Sequence, residues 1–305
     1  MDFKELKPSD YDTLKPFFED QKYPICVYSL SSTIAWSGKE YKPYYTIYDK
    51  SLILSVEYAT KKDYRHLILP ITPYKEYEPE QLKDILKDLG HKSYWFVPDV
   101  YIAKYGKEKI ENFFEILEQE GYHDYVYLAE DLASLKGNKY SKKRNLINQF
   151  RKEYLEKQTV TIDNIKSKDI DDCLNFLEEW CIEAHCDHDE NYDLACEKQA
   201  TKNTLKNIEI FDEATGLLLR IDGKVNAFGI ASKLTKDMGV LHFEKAFSSI
   251  KGLYQFFDQE CAKRLFNGYK YINKESDMGV QGLIQAKKSY NPALIIKSYQ
   301  FKLKN

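Results

Sequence analysis

The chain has 305 residues, 43% hydrophobic and 14% aromatic, with 45 basic against 48 acidic residues for a formal charge of −3. Its 25 Tyr exclude a disordered chain, which is poor in aromatics, and the length suits two domains better than one core. No stretch approaches the ~18–20 apolar residues of a membrane span, and charges run through the N-terminal MDFKELKPSDYDTLKPFF where a leader would be apolar. The expectation is therefore a cytoplasmic protein with no stable membrane insertion.

Ser9 is placed to cap a first helix over DYDTLKPFFED. Aromatic and β-branched runs predict strands over 44–49, 52–58 and 65–71, the first two joined by a tight hairpin at DKS. Pro79 near its start and Gly90 after its end punctuate a helix over PEQLKDILKDLG. A strand over 93–98 leads to a helix over 107–121, where Ile110, Phe113, Phe114 and Leu117 fall at helical spacing, and to a strand over 123–129.

The second half runs in the same order. Helices over 169–184 and 197–207 precede LLLRI (217–221) and VNAFGIAS (225–232), which the turn DGK joins as a hairpin. A strand over 238–247, a helix over 252–266, a strand over 269–273, a helix over 280–290 and a strand over 293–301 complete the set. The repeat is one of element order, without residue-level identity.

Cys26, Cys173, Cys181, Cys186, Cys196 and Cys261 fit free thiols in a reducing compartment. The stretch CLNFLEEWCIEAHCDHDENYDLAC gathers Cys181, His185, Cys186, His188 and Cys196, but no paired CxxC knuckle is present. It reads as a buried helix running into an acidic loop, with a zinc site as the alternative.

LKGNKYSKKRNLINQFRK (135–152) carries Lys136, Lys139, Lys142, Lys143, Arg144, Arg151 and Lys152 and no acid. As a helix from about Lys139, it docks by Leu146, Ile147, Phe150 and Tyr154 and turns its cations outward. It is either a solvated helix between domains or a phosphate cradle for a nucleotide donor or the end of a tRNA. The missing i,i+4 acids favour the cradle.

In the strand LHFEKAF, His242, Glu244 and Ala246 are expected to point one way and Leu241, Phe243 and Lys245 the other. Burying His242 and Glu244 unpartnered is expensive, so they either pair with Asn273 or Glu275 or line a pocket. Asp277 is placed as a helix N-cap, and Lys287 and Lys288 on a solvated helix face. Tyr254 and Tyr290 belong to the core or to the site.

This element order, taken twice, resembles tandem GNAT acyltransferase folds such as the Fem-type transferases. LKGNKYSKKRNLINQF (135–150) and LHFEKAFSSIKGLYQFFDQECAKRL running into YINKESDMGVQGLIQAKKSYNP are similar to the soluble, stand-alone relatives of the phosphatidylglycerol lysyltransferase C-terminal domain. The resemblance implies an α/β (α+β) chain of two GNAT-like domains, each a mixed, mostly antiparallel sheet flanked by helices. It places a degenerate N-terminal domain over 1–134, a basic connecting helix over 135–160, and a C-terminal domain carrying the site over 161–305.

The same resemblance implies transfer of an aminoacyl or acyl group to an amine or hydroxyl. Aminoacyl-tRNA or acyl-CoA would be the co-substrate, with no tightly bound cofactor and no metal. The rivals are an acetyl-CoA-dependent N-acetyltransferase and a non-catalytic module that holds RNA or a nucleotide. In GNAT folds two strands splay apart, and the freed amides with the next helix N-terminus grip the donor's phosphates. By position the donor would meet Ser248, Ser249, Lys251 and Gly252 in the loop FSSIKGLYQ, Asn273, and Lys139, Lys142, Lys143 and Arg144 of the basic stretch. Glu244 is expected as the base or acceptor-orienting carboxylate, with His242, Glu275 and Tyr254 as the other catalytic candidates.

Overall fold

The structure of the protein, a computed structural model, describes residues 2–59, 64–186 and 192–304, with the backbone alone for 192–195. Strand β1 (Lys4–Glu5) and helix α1 (Tyr11–Leu14) precede α2 (Leu30–Ala35), which Ser29 caps by accepting from the Ser32 amide. Strands β2 (Tyr41–Tyr48) and β3 (Ser51–Tyr58) form the expected hairpin, with Asp49 and Lys50 both at positive φ. Next come β4 (His66–Leu67), α3 (Pro79–Asp88), β5 (Ser93–Pro98), α4 (Asp99–Tyr105), α5 (Lys107–Glu111), β6 (Phe114–Glu118) and β7 (Asp124–Leu128).

The chain crosses into its second half through α6 (Ala129–Ser134) and α7 (Ser141–Phe150), then β8 (Val160–Asn164), α8 (Ile170–Glu183) and α9 (Tyr192–Lys206). The hairpin of β9 (Ala214–Ile221) and β10 (Lys224–Lys233) turns at Asp222 and Gly223, both at positive φ. The remaining elements are β11 (Met238–Ala246), α10 (Leu253–Arg264), β12 (Tyr271–Asn273), α11 (Gln281–Lys288), β13 (Leu294–Ile296) and β14 (Ser298–Leu303).

Two seven-stranded sheets result, ordered β1-β2-β3-β4-β5-β14-β6 and β13-β7-β12-β11-β10-β9-β8. Each holds one parallel pair, β4 with β5 and β11 with β12, among antiparallel neighbours. The halves exchange strands at equivalent places. β14 lies between β5 and β6 in the first sheet, and β7 lies between β12 and β13 in the second.

This exchange corrects three expectations. The sheets do not divide at 1–134 and 161–305, because β7 from the first segment completes the second sheet and β14 from the last completes the first. The strand over 293–301 breaks at Lys297 into β13 and β14, one in each sheet. The helix over 107–121 ends at Glu111, and Phe114–Glu118 is a strand, because β14 supplies a hydrogen-bonding partner from far along the chain, as in Phe114 with Leu303. Without β14, β5 and β6 would each present an open edge. β8, at the end of the segment expected as a connecting helix, is a further strand.

The halves share a core. Tyr94, Tyr101, Phe114 and Phe301 are buried in a cluster that continues into Val126, Met238, Val240 and Ile296 of the second sheet. Phe301 stacks on Phe114 with ring centroids 5.6 Å apart. Phe301→Ala should therefore lower the unfolding free energy in urea by ~3–5 kcal/mol, although the position lies close to the chain's end. A loss under about 1 kcal/mol would contradict the exchange.

Candidate active site

The parallel pairing of β11 with β12 stops at Val240 and Asn273. Beyond it β11 stays bound to β10 as far as Ala246, while Lys274 and Glu275 follow β7 through backbone bonds with Tyr125. The two strands splay, and His242, Glu244, Lys274 and Glu275 come from the opened stretch. A bulge lies here too: Ile230 opposes Phe243 and Ala231 opposes Leu241, so His242 is the extra residue. Simple alternation therefore fails at His242. Leu241 packs with Ala262 and Phe266 of the α10 side, Phe243 packs with α8, and His242 is re-aimed along the sheet.

Glu244 faces α10. Its Oε2 accepts from Lys274 Nζ at 3.1 Å, and the same ammonium donates to Asp258 Oδ1 at 2.6 Å. Glu244 Oε1 is buried with no partner. Burial and the neighbouring Asp258 carboxylate push the Glu244 carboxyl up to about 7, against the opposing pull of Lys274. Lys274 is raised in spite of its burial, because two carboxylates share one ammonium. Tyr290 lies over this cluster, with Lys274 Nζ 5.3 Å and Lys143 Nζ 3.8 Å from its ring centre. Tyr254, in the first turn of α10, accepts from Trp180 Nε1 at 3.1 Å, and burial pushes its phenol up to about 12. Lys245 points the other way, to Glu197 at 2.7 Å and over the Trp180 ring.

A second polar seam joins the halves. His242 Nδ1 lies 2.9 Å from Glu275 Oε1, and Nε2 lies 2.8 Å from Ser232 Oγ. Asn273 is fully engaged: its amide group donates to Asp124 Oδ2 at 2.7 Å and to the Pro24 carbonyl at 2.8 Å, and its oxygen accepts from the Glu275 amide. Asp124 also accepts from the Cys26 amide at 2.7 Å. Burial pushes the Asp124 carboxyl up to about 6, outweighing the lowering by Asn273 and Cys26. Glu275 takes a left-handed φ of 59°, a conformation that the surrounding contacts must hold in place.

Lys287 was expected on a solvated face, yet its ammonium donates to the carbonyls of Lys274, Glu275 and Ser276. Those carbonyls lie where β12 ends, and α11 folds back over them. Asp277 does not cap α11. It accepts from the Gly279 amide at 2.8 Å and from the Tyr125 hydroxyl at 2.6 Å, and the N-cap position falls to Val280.

The expected donor loop is a joint between helices. The amides and hydroxyls of Ser248 and Ser249 all donate to the Glu183 carboxylate at the end of α8, the amides at 2.7 and 3.1 Å. Burial would raise Glu183, but these hydrogen bonds outweigh it and hold the carboxyl below its ordinary value. Gly252 caps α10 at a φ of 84°, and a Cβ there would come within 2.1 Å of the Leu146 carbonyl of α7. Lys251 is exposed beside it.

The basic stretch is divided among several tasks. Lys139 pairs with Asp131 at 2.8 Å, and Arg144 donates to the carbonyls of Leu135 and Gly137 at 2.5 and 2.7 Å. Lys143 donates to Ser289 Oγ at 2.7 Å, over Tyr290, while Lys136, Lys142 and Lys152 are exposed. The stretch thus borders the second half's charge cluster through Lys143 alone of the four cations expected there. The sulfurs of Cys181 and Cys186 come together because the chain leaves α8 through a left-handed His185 and folds back to a Cα separation of 5.1 Å. His188 lies outside the described residues, among which no group of three or more His, Cys, Asp or Glu is arranged to hold a metal ion.

Lys274, Asp258, Asp124 and Ser232 escaped the sequence reading, and Cys26 was read only as a free thiol. Asp258 had a signal: it stands between Tyr254 and Cys261 on the helix face that also carries Ala262.

Two mostly antiparallel seven-stranded sheets flanked by helices, the second splayed between β11 and β12, define a tandem GNAT-like fold. The sequence profile of the phosphatidylglycerol lysyltransferase C-terminal family matches residues 25–301, and the chain belongs to that family. A conserved protein of unknown function from Bacteroides thetaiotaomicron VPI-5482 is 30% identical, with a TM-score of 0.87 over 99% of each chain. The C-terminal domain of a putative lysylphosphatidylglycerol synthetase from Agrobacterium fabrum shares the fold at 12% identity, with a TM-score of 0.62 over 97% of this chain and 92% of that one. No curated protein matches the sequence. No helix among the described residues is long and apolar enough to cross a membrane. The family and fold support an acyltransferase-like protein.

The cations of the basic stretch should separate by task. Arg144→Ala should lower unfolding free energy by about 1–2 kcal/mol, since two backbone carbonyls lose a charged donor. Lys142→Ala should stay within ~0.5 kcal/mol of wild type in the same denaturant titration.

Proposed function

We propose that the protein moves an aminoacyl group from an ester donor of the aminoacyl-tRNA type to an amine or hydroxyl acceptor, with Glu244 as the base. The observation that carries this is Glu244 Oε1, buried and unpartnered at the splay on a carboxyl pushed up to about 7. An activated ester needs a positioned acceptor, a proton acceptor and a site for developing charge, and no metal or nucleophilic triad is required. Once Glu244 takes the acceptor's proton, Lys274 still faces Asp258. The cluster then passes from one net negative charge to none, which favours proton capture in a buried site.

The choice of an ester over a coenzyme A donor is supported by Glu183. A carboxylate already occupies the amides and hydroxyls of Ser248 and Ser249. A pyrophosphate would have to displace it and face its charge.

With a charged tRNA minihelix and a small amine, Glu244→Gln should cut turnover on the order of a hundredfold or more while the variant stays folded and still binds the minihelix. Normal turnover per folded molecule in the variant would refute the assignment. Coenzyme A should give no saturable thermal shift. A shift would favour the acetyltransferase, and RNA binding indifferent to charging would favour a non-catalytic module.

Glu244 also sets a pH dependence. The ionised form is the base, so the rate should rise with pH through about 7 to a plateau. Stability runs the other way. The folded state holds this proton more tightly than the unfolded chain does, so the contribution is complete below the ordinary Glu range and lost as pH climbs through about 7. Glu244→Gln should therefore gain stability on wild type between pH 5 and pH 8 in parallel urea titrations, and a constant difference would contradict the raised carboxyl.

A further inference from the structure

Ser232, His242 and Glu275 form an unbroken chain of hydroxyl, imidazole and carboxylate, with contacts of 2.8 and 2.9 Å. We propose that Ser232 is a nucleophile that takes the acyl group of an activated carboxylic ester onto its own hydroxyl. With Nδ1 of His242 donating to the Glu275 carboxylate, the neutral tautomer is the one in which Nε2 accepts from Ser232. That is the tautomer a serine nucleophile requires. Three elements fix the geometry independently. Ser232 lies near the end of β10, His242 is the bulged residue of β11, and Glu275 is held at positive φ by the Asn273 side chain and the Lys287 ammonium.

Access comes from the seam between the halves. Ser232 lines a small depression of about 20 Å3, together with Tyr11, Ser29, Ser31, Glu213 and Lys233. His242 and Glu275 stand behind it. Ser232 Oγ also lies 3.3 Å from Ser29 Oγ, so the depression holds a second hydroxyl that serves as an internal control.

The step balances without another reactant. Ser232 Oγ bonds to the ester carbonyl carbon as its proton passes to His242 Nε2, and Glu275 offsets the imidazolium charge. The ester C–O bond then breaks, and the leaving alkoxide takes that proton as an alcohol. Water or an amine releases the acyl group by the reverse route. The inference rests on the acyl-transfer reading only for the fate of the acyl group.

The test is labelling of the full chain by a small alkyl fluorophosphonate, read by intact mass and peptide mapping, with circular dichroism as the check on folding. The expected result is one adduct at Ser232, lost in Ser232→Ala and formed about a hundredfold or more slowly in His242→Gln. No adduct on the folded wild type, an adduct at Ser29 instead, or a rate indifferent to His242→Gln would overturn the proposal. Labelling at Ser232 without transfer from a charged minihelix would leave it standing and sink the transfer reading. Transfer without labelling would do the reverse.

Discussion

The exchange of β7 and β14 between the sheets is the constraint on which the site depends. β7 enters the second sheet between β12 and β13 and carries Asp124, Tyr125 and Tyr127 to the splay. Asp124 ties Asn273 of the second half to the Cys26 amide of the first, Tyr125 holds Asp277, and Tyr127 donates to the Lys287 carbonyl. Each half thereby completes its partner's sheet. Neither sheet could close its hydrogen bonds alone, and the opened end of β12 has its shape because a strand from the other half lies beside it.

The buried charges follow from that frame. Removing Glu244, Lys274 and Asp258 from water is costly, and their mutual attraction repays it only with good geometry. Here one ammonium serves two carboxylates and one carboxylate oxygen stays unpaired. A cluster selected for stability alone would have matched its charges or become apolar. The imbalance instead leaves a carboxyl that gains and loses a proton near neutrality, which suits a base. The His242–Glu275 pair on the neighbouring bulge instead runs on to the Ser232 hydroxyl.

Around this centre the helices meet at points of close approach. α10 begins against the Leu146 carbonyl of α7, where a side chain would not fit, and its preceding loop is clamped by Glu183 of α8. Three of the positive charges of the segment over 135–152 are thereby placed by contacts within the protein. Arg144 closes the end of α6, Lys139 pairs locally, and Lys143 reaches the tyrosine over the charge cluster.

Much of the architecture was legible in the sequence. The alternation in 217–232 with Asp222-Gly223 at its turn, the punctuation of α3 by Pro79 and Gly90, and the repeated element order pointed to two mixed sheets. These signals are local, since they depend on turn chemistry and on the period of apolar residues within one element. That Glu244 and Lys245 point to opposite faces was legible for the same reason, while the partners of Glu244 were not. The bulge that re-aims His242 was not, because it is a mismatch between two strands and is visible only when they pair. Phe114–Glu118 read as helix because Phe113, Phe114 and Leu117 fit that period, and only the arrival of β14 made it a strand. Lys274, Asp258, Asp124 and Glu183 are ordinary charged residues in sequence. What distinguishes them is a partner 16 to 149 residues away, and the packing that brings those partners together, with the strand exchange for Asp124, is a property of the folded chain alone.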